Sequence, residues 1–326
     1  MDPERPERRL CRDHLRRRPA RDRGRHHHRR AGRDLDPRLA DDGADGPGHA
    51  AAQPVPARQG GDGQPQPDHG AARRHRRRGS PHPAARGPGR LRAAVRGLHL
   101  CRPQRPPALA VQTLDIAAGE RIALLGRNGA GKSTLLQGLS GMLQPVSGEV
   151  LLDGLALHQV DPADVRRDIG LLTQTSRLFH GTLRENLTLG APMASDREIS
   201  EMLAMVGADT MVRRLRDGLG HVVQEGGRGL SGGQIQGLLL ARLLLRQPSV
   251  ALLDEPTAAM DEGTERHFIA RLGAWSRTRT LIVATHRMRM LEIVDRIIVI
   301  DNGTIVLDGP KDQILAQMRG TRSAAA

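Results

Sequence analysis

Tyrosine is absent from this 326-residue chain, and aromatic side chains are limited to two Phe and one Trp. A site that grips a flat ring therefore has very few rings of its own to stack on it. Cysteine is scarce as well. Cys11 and Cys101 give no disulfide framework, which points to a reducing compartment. No run of 18 or more apolar residues occurs, so the sequence predicts no membrane-spanning helix. The Arg-rich beginning lacks an apolar core and does not read as a signal peptide. No internal repeat is evident.

What is present divides sharply. Residues 1–90 hold 22 Arg against 12 Asp plus Glu, and so carry +10 of the net +14. They contain no Phe, Tyr, Trp, Ile or Lys, and their only aliphatics beyond Ala are Leu10, Leu15, Leu35, Leu39 and Val55. Such a segment buries too little apolar surface to offset its ordering entropy, and is expected to be disordered. A basic arm of this kind can bind nucleic acid or an anionic surface. The run His26, His27, His28 is a possible metal ligand set, but it has no folded frame.

The remainder contains an ordered set of motifs. Gly126 to Ser133 fits G-x-x-x-x-G-K-[ST] between an apolar run, residues 121–125, and a helical pattern. Glycines there let backbone N–H groups turn inward around phosphates, and a helix start adds partial positive charge. The candidate phosphate-binding residues are Gly126, Arg127, Asn128, Gly129, Ala130, Gly131, Lys132, Ser133 and Thr134. Lys132 would reach the β- and γ-phosphates, and Ser133 would ligate Mg²⁺. A second apolar run, residues 250–253, ends in Asp254 and Glu255. Two carboxylates at the end of a parallel strand lie where α/β proteins hold their ligands. Asp254 would hold Mg²⁺ through its water shell, and Glu255 would polarise an attacking water.

Taken in order, this loop, Gln174, Leu230 to Gln234, Asp254 with Glu255, Asp261 and His286 resemble the ATP-binding cassette (ABC) ATPases. The resemblance implies a P-loop α/β fold over residues 91–320, with a RecA-like core, an antiparallel β subdomain and a helical subdomain, followed by a tail at 321–326. It implies ATP and Mg²⁺ as ligands. Gln174 would sense Mg²⁺ and the water, and His286 would contact the γ-phosphate. In this family two cassettes pair head to tail, so Ser231, Gly233 and Gln234 of one copy would touch the γ-phosphate held by the other. Asp261 would lie in the loop that crosses that interface. The other partner implied is a transmembrane domain or subunit, contacted by the helical stretch from about 174 to 230.

Residues 178–190 and 224–229 resemble exporter segments, and with the tail 286–313 they are similar to type I protein secretion ATPases. Arg102 stands near the position where exporters stack an aromatic on adenine; a guanidinium can stack on a base, so Arg102 or His99 is expected there instead. Ile235 and Gly237 stand where the family often has polar residues after its signature sequence, here Leu230 to Gln234, and Gly237 costs a helix about 1 kcal/mol relative to Ala.

The resemblance bears on residues 1–90 too. Exporters carry membrane helices directly before the cassette, and this composition is what a GC-rich gene gives out of frame, so the segment is read as disordered or frameshift-derived. The alternatives are a soluble, non-transport ABC ATPase with a nucleic-acid-binding arm, or a remnant of a frameshifted half-transporter. Ribosome-acting members carry two cassettes and chromosome-acting ones long coiled coils; neither pattern is seen, so nucleic acid is not the expected partner.

Strands are expected at 94–100, 111–116, 121–125, 149–152, 169–173, 249–253, 280–284, 296–301 and 304–307. Asn302 and Gly303 form a hairpin signal between the last two. Helices are expected at 132–141, 162–166, 182–186, 196–206, 208–214, 232–246, 262–274, 286–292 and 310–318.

Overall fold

The computed structural model describes residues 93–101 and 107–323. The readings made for residues 1–92, for Arg102 and for the last three residues lie outside the described residues.

In chain order the strands are β1 (Ala93–Cys101), β2 (Pro107–Ile116), β3 (Arg121–Leu125), β4 (Ser147–Leu152), β5 (Leu155–Ala156), β6 (Ile169–Leu172), β7 (Gly181–Thr182), β8 (Val222–Val223), β9 (Val250–Asp254), β10 (Thr280–Ala284), β11 (Arg296–Asp301) and β12 (Thr304–Pro310). The α-helices are α1 (Lys132–Leu139), α2 (Pro162–Asp168), α3 (Leu183–Thr188), α4 (Asp196–Met205), α5 (Asp209–Arg214), α6 (Gly232–Leu245), α7 (Glu262–Trp275) and α8 (Lys311–Ser323).

Two sheets carry the fold. A four-stranded antiparallel sheet runs β2-β1-β4-β5, and a six-stranded sheet runs β12-β11-β3-β10-β9-β6. In the second, β11, β3, β10, β9 and β6 are mutually parallel, and β12 closes the edge antiparallel to β11. The β11–β12 connection is the hairpin that Asn302 and Gly303 signal. Both residues have positive φ, 45° and 78°, as a two-residue turn with matching twist demands.

The central strands are buried on both faces, which is why they read as unbroken apolar runs rather than alternating ones. Along β9, Val250 and Leu252 enter a core shared with β1, β2 and the α1 residues Leu135, Leu136 and Leu139. Ala251 and Leu253 enter the opposite core, built from α6, α7 and the helices before them. Phe268 of α7 is the bulkiest fully buried side chain there. Arg296 ties the two sheets together. It forms a two-pronged pair with Asp308 at 2.6 Å, and it also donates to Asp115 O at 2.9 Å and Glu120 Oε1 at 3.1 Å. These carboxylates raise the guanidinium further above its already high pKa.

The expected elements occur, with three physical corrections. The two-residue strands β5, β7 and β8 are too short to leave a period in the sequence. β2 begins four residues earlier than expected, at Pro107, a position at a strand's start where a missing N–H is tolerated. The expected helix at 286–292 is a 3₁₀ segment beginning only at Met288. His286 and Arg287 stay non-helical, because the Arg287 N–H is taken by Thr285 Oγ1 at 3.0 Å and the His286 ring by Glu255.

Helix starts follow side-chain chemistry. Thr182 with Glu185, Ser195 with Glu198 and Ser231 with Gln234 each form a reciprocal capping box. Asp161 and Asp261 cap α2 and α7. Gly237 lies mid-helix in α6, and a Cβ there would meet nothing nearer than 3.7 Å. Gly237→Ala is therefore expected to stabilise the fold by about 0.5–1 kcal/mol, read as a higher urea midpoint at unchanged slope.

Candidate functional site

Parallel register places the site. Leu124 of β3 pairs with Ala284 of β10, Ala284 with Asp254 of β9, and Leu253 of β9 with Leu172 of β6. The C-terminal ends of four adjacent strands thus fall on one edge of the sheet. Leaving that edge are the loop 126–131, His286, Glu255 and Gln174.

The loop after β3 is held by its glycines. Gly126, Gly129 and Gly131 have φ of 151°, 83° and 113°, a region unfavourable to side-chain-bearing residues. A Cβ on Gly126 would sit 2.2 Å from the carbonyl oxygen of Ile300. The β11–β12 hairpin braces the loop from outside, its Gly303 N–H donating to Ala130 O at 2.9 Å. α1 then starts at Lys132 with no side-chain cap on Gly131, leaving first-turn N–H groups for an external acceptor. Lys132 is buried, and its ammonium donates to Gly126 O at 2.7 Å and Arg127 O at 3.1 Å. A buried cation bonded to neutral carbonyls, at the start of an uncapped helix, fits the oxygens of a phosphate chain. Ser133 is half-buried beside it, while Thr134 points into the core.

Asp254 and Glu255 are both buried. Glu255 has φ of 49°, a left-handed conformation rare for a side-chain-bearing residue. Its N–H donates to Ala284 O at 2.9 Å, continuing the β9–β10 ladder for one step while the chain turns away. The carboxylate then faces His286, with Oε1 at 2.9 Å from Nδ1. Its other oxygen, Oε2, is buried without a hydrogen-bond partner among the described residues. A buried acceptor of that kind fits a donor such as water. Gln174, two positions past the end of β6, is exposed above a turn closed by Thr173 and Ser176.

The signature residues lie elsewhere in the network. Ser231 and Gln234 cap each other at the start of α6: Ser231 N–H donates to Gln234 Oε1 at 2.8 Å, and Gln234 N–H to Ser231 Oγ at 3.3 Å. No hydrogen bond joins them to residues 126–134 among the described residues. They approach the loop after Glu255 instead, where a Cβ on Gly233 would lie 2.7 Å from Ala259 O. Asp261 ends that loop. Its carboxylate accepts from Thr264 N at 3.0 Å and Thr264 Oγ1 at 2.7 Å, bonds that hold its pKa below the usual carboxylate range.

Sequence reasoning missed the residues that fasten these loops. Gln236 bridges Glu255 O and Ala259 N at 2.7 and 2.8 Å. Glu265, buried in α7, accepts from Thr257 Oγ1 at 2.7 Å and from Arg287 at 3.3 Å, and Arg287 also donates to Ala258 O at 3.1 Å. Arg242 of α6 donates to Asn186 O and Oδ1, both at 2.7 Å, and to Arg177 O at 3.0 Å. Asn186 in turn holds both the N–H and the carbonyl of Phe179 at 2.9 Å. The β7–β8 pair aligns Gly181 with Val223, and Gly226 N–H donates to Leu178 O at 2.9 Å. The two stretches that resemble exporter segments are therefore neighbours in space. Most of these fastenings are single polar side chains reaching far along the sequence, a relation that leaves no period and no motif.

The family model for ABC transporters matches residues 109–258, from β2 through the phosphate-type loop to the end of the Glu255 turn. The chain carries an ABC transporter ATP-binding domain. The glutathione/L-cysteine transport system ATP-binding/permease protein CydC of Escherichia coli (strain K12) is 41% identical over 214 residues, covering 66% of this chain and 37% of that protein. The alpha-hemolysin translocation ATP-binding protein HlyB of Escherichia coli O157:H7 is 36% identical over 204 residues, covering 63% of this chain and 29% of that protein. A bacterial Atm1-family ABC exporter solved with ATP bound superposes with a TM-score of 0.67 at 30% identity, covering 73% of this chain and 42% of that one. The chain thus spans well under half the length of these relatives.

The Thr257–Glu265–Arg287 cluster makes a stability prediction for the ATP-binding domain. Removing the buried carboxylate leaves a hydroxyl and a guanidinium without their acceptor. Glu265→Ala is expected to cost about 3 kcal/mol or more by chemical denaturation.

Proposed function

We propose that this domain hydrolyses ATP and that the cycle drives export across a membrane. The observation that carries the reading is the Glu255 carboxylate: the left-handed turn aims it, His286 holds one oxygen at 2.9 Å, and the other oxygen is buried without a partner among the described residues. Glu255 Oε2 is the atom positioned to accept a proton from a water attacking the γ-phosphate. His286, engaged through Nδ1, keeps Nε2 for the phosphate. Lys132 and the first-turn N–H groups of α1 hold the β- and γ-phosphate oxygens. Ser133, Asp254 and Gln174 supply oxygen ligands suited to Mg²⁺, which neutralises phosphate charge when bound. Arg102 is assigned to the adenine ring.

The partners follow from the same reading. A second cassette contributes Ser231, Gly233, Gln234 and Asp261 to the nucleotide held by the first. A membrane-spanning part, fused or separate, receives the motion, which puts the domain on the cytoplasmic face of a membrane. Among the described residues no helix is long and apolar enough to cross a membrane. A groove of about 510 Å³ between α2, the end of β6 and α6 suits such a partner. It is lined by Leu189, Leu239, Leu243, Arg166, Arg242 and Arg246, and no Asp or Glu lines it. With arginines set among leucines, an apolar segment bearing a carboxylate is the complementary occupant. Relatives named for amino-thiol transport and for toxin translocation share the cassette, so the proposal is for an exporter, with type I secretion as one member of that class.

Two outcomes test the reading. Glu255→Gln is expected to bind ATP like the parent while hydrolysing it at least about 100-fold more slowly. Parent-level turnover in that variant would remove Glu255 from the chemistry. Arg246→Glu is expected to abolish coupling of ATP turnover to its membrane part while leaving ATP binding intact; normal coupling would show that the groove is not the contact.

A further inference from the structure

Gln236 takes part in none of the roles assigned so far, yet it touches the residue on which the chemistry turns. It lies in the second turn of α6, half-buried, five residues past Ser231 and two past Gln234. Its Nε2 donates to the main-chain carbonyl of Glu255 at 2.7 Å, and its Oε1 accepts the N–H of Ala259 at 2.8 Å. One side chain thus spans the loop from the end of β9 to the approach to α7.

The Glu255 bond matters because that residue is in a sparsely populated conformation. Such conformations persist only where the surroundings over-determine them. The Glu255 N–H is fixed by Ala284 O at 2.9 Å on one side, and its carbonyl by Gln236 on the other. With both flanking peptides fixed, the direction of the carboxylate is fixed too. A side-chain amide is suited to this position because it donates and accepts at once; a carboxylate accepts only, and an aliphatic chain does neither.

We infer that Gln236 is a positioning residue that transmits the placement of the α6 start to the Glu255 carboxylate and to the loop ending at Asp261. The inference rests on the reading of Glu255 as the group that activates water. Hydrogen bonds of 2.7–2.8 Å lose most of their strength with a shift of under an ångström. Gly233 adds a close packing approach to the same loop, since its missing side chain leaves room for Ala259 O. When Ser231 and Gln234 engage a phosphate on a second copy, the same short helix segment therefore carries their position to Glu255. Hydrolysis in one site is thereby tied to engagement of the other.

The test compares Gln236→Met, Gln236→Glu, Glu255→Gln and the Gln236→Met/Glu255→Gln double variant in the full chain. Methionine keeps the length and packing and loses both bonds, while glutamate keeps the bond from Ala259 and loses the one to Glu255. Steady-state ATPase kinetics, equilibrium ATP binding and melting temperature are measured for each. Both Gln236 variants are expected to lower kcat about ten-fold or more, with KM and ATP affinity within about two-fold of the parent. The double variant is expected to be no slower than Glu255→Gln alone, because both changes act through one carboxylate. Unchanged kcat in both Gln236 variants, with Glu255→Gln inactive, would overturn the inference and leave the reading of Glu255 intact. Losses that multiply in the double variant, or that only track a lowered melting temperature, would also overturn it. Full turnover in Glu255→Gln would instead remove the reading on which the inference rests.

Discussion

The parallel alignment of β3, β10, β9 and β6 is the constraint on which the rest of the molecule depends. Strands in parallel register end together, so whatever each strand delivers at its C-terminus arrives on one edge. Here that edge receives a glycine-held loop, two carboxylates, a histidine and a glutamine from segments more than 150 residues apart in the chain. The apolar runs of these strands set the register, because they must bury both faces between the α1 core and the α6–α7 core. A slip of one residue in β9 would exchange Leu252 with Leu253 between cores and carry Asp254 and Glu255 off the edge with them.

Given that edge, the remaining problem is that functional groups sit on loops, and loops are mobile unless tied. The molecule ties each one with a hydrogen bond from a packed element, a backbone N–H in one case and side chains in the others. Gly303 of the hairpin holds the phosphate-type loop, Gln236 of α6 holds Glu255, Glu265 of α7 holds Thr257 and Arg287, and Arg242 of α6 holds the stretch around Asn186. Such hydrogen bonds contribute on the order of 1 kcal/mol each to stability, but leaving a buried partner unsatisfied costs more. Their value lies in geometry: they convert a loop into a fixed part of the sheet edge. α6 supplies two of these ties, and its first turn begins within the signature sequence, Leu230 to Gln234. That helix joins the residues Ser231 to Gln234 to the interior of the site.

The elements and the chemistry were legible in the sequence to different degrees. Buried parallel strands announced themselves as Ile122–Leu124, Val250–Leu253 and Leu281–Ala284, and their bounds fell close to the structure because a polar or glycine residue stops each run. The loop with Lys132 and the pair Asp254 and Glu255 were legible because local spacing alone brings those residues together. Glu255's left-handed backbone, its bond to His286 and the role of Gln236 were not, because each depends on a neighbouring strand or helix whose distance is set by packing. Arg287 looked like an ordinary charged residue following a histidine. Only its contact with a glutamate buried in α7 distinguishes it, and a charge inside a helix's apolar face reads in sequence as a lapse in the pattern.

One compositional oddity shows what the loop demands. The chain has only two lysines, Lys132 and Lys311, among 50 basic residues of which the rest are arginine. A composition so biased toward arginine would place arginine wherever positive charge alone sufficed. Lys132 bends back over a tight loop to reach two carbonyls, Gly126 O and Arg127 O, at 2.7 and 3.1 Å from a single nitrogen. A compact ammonium can present three donors around one point, whereas a guanidinium spreads its donors along a rigid plane. A compact ammonium therefore suits the glycine-held cradle, and the same compactness suits it to a chain of phosphates.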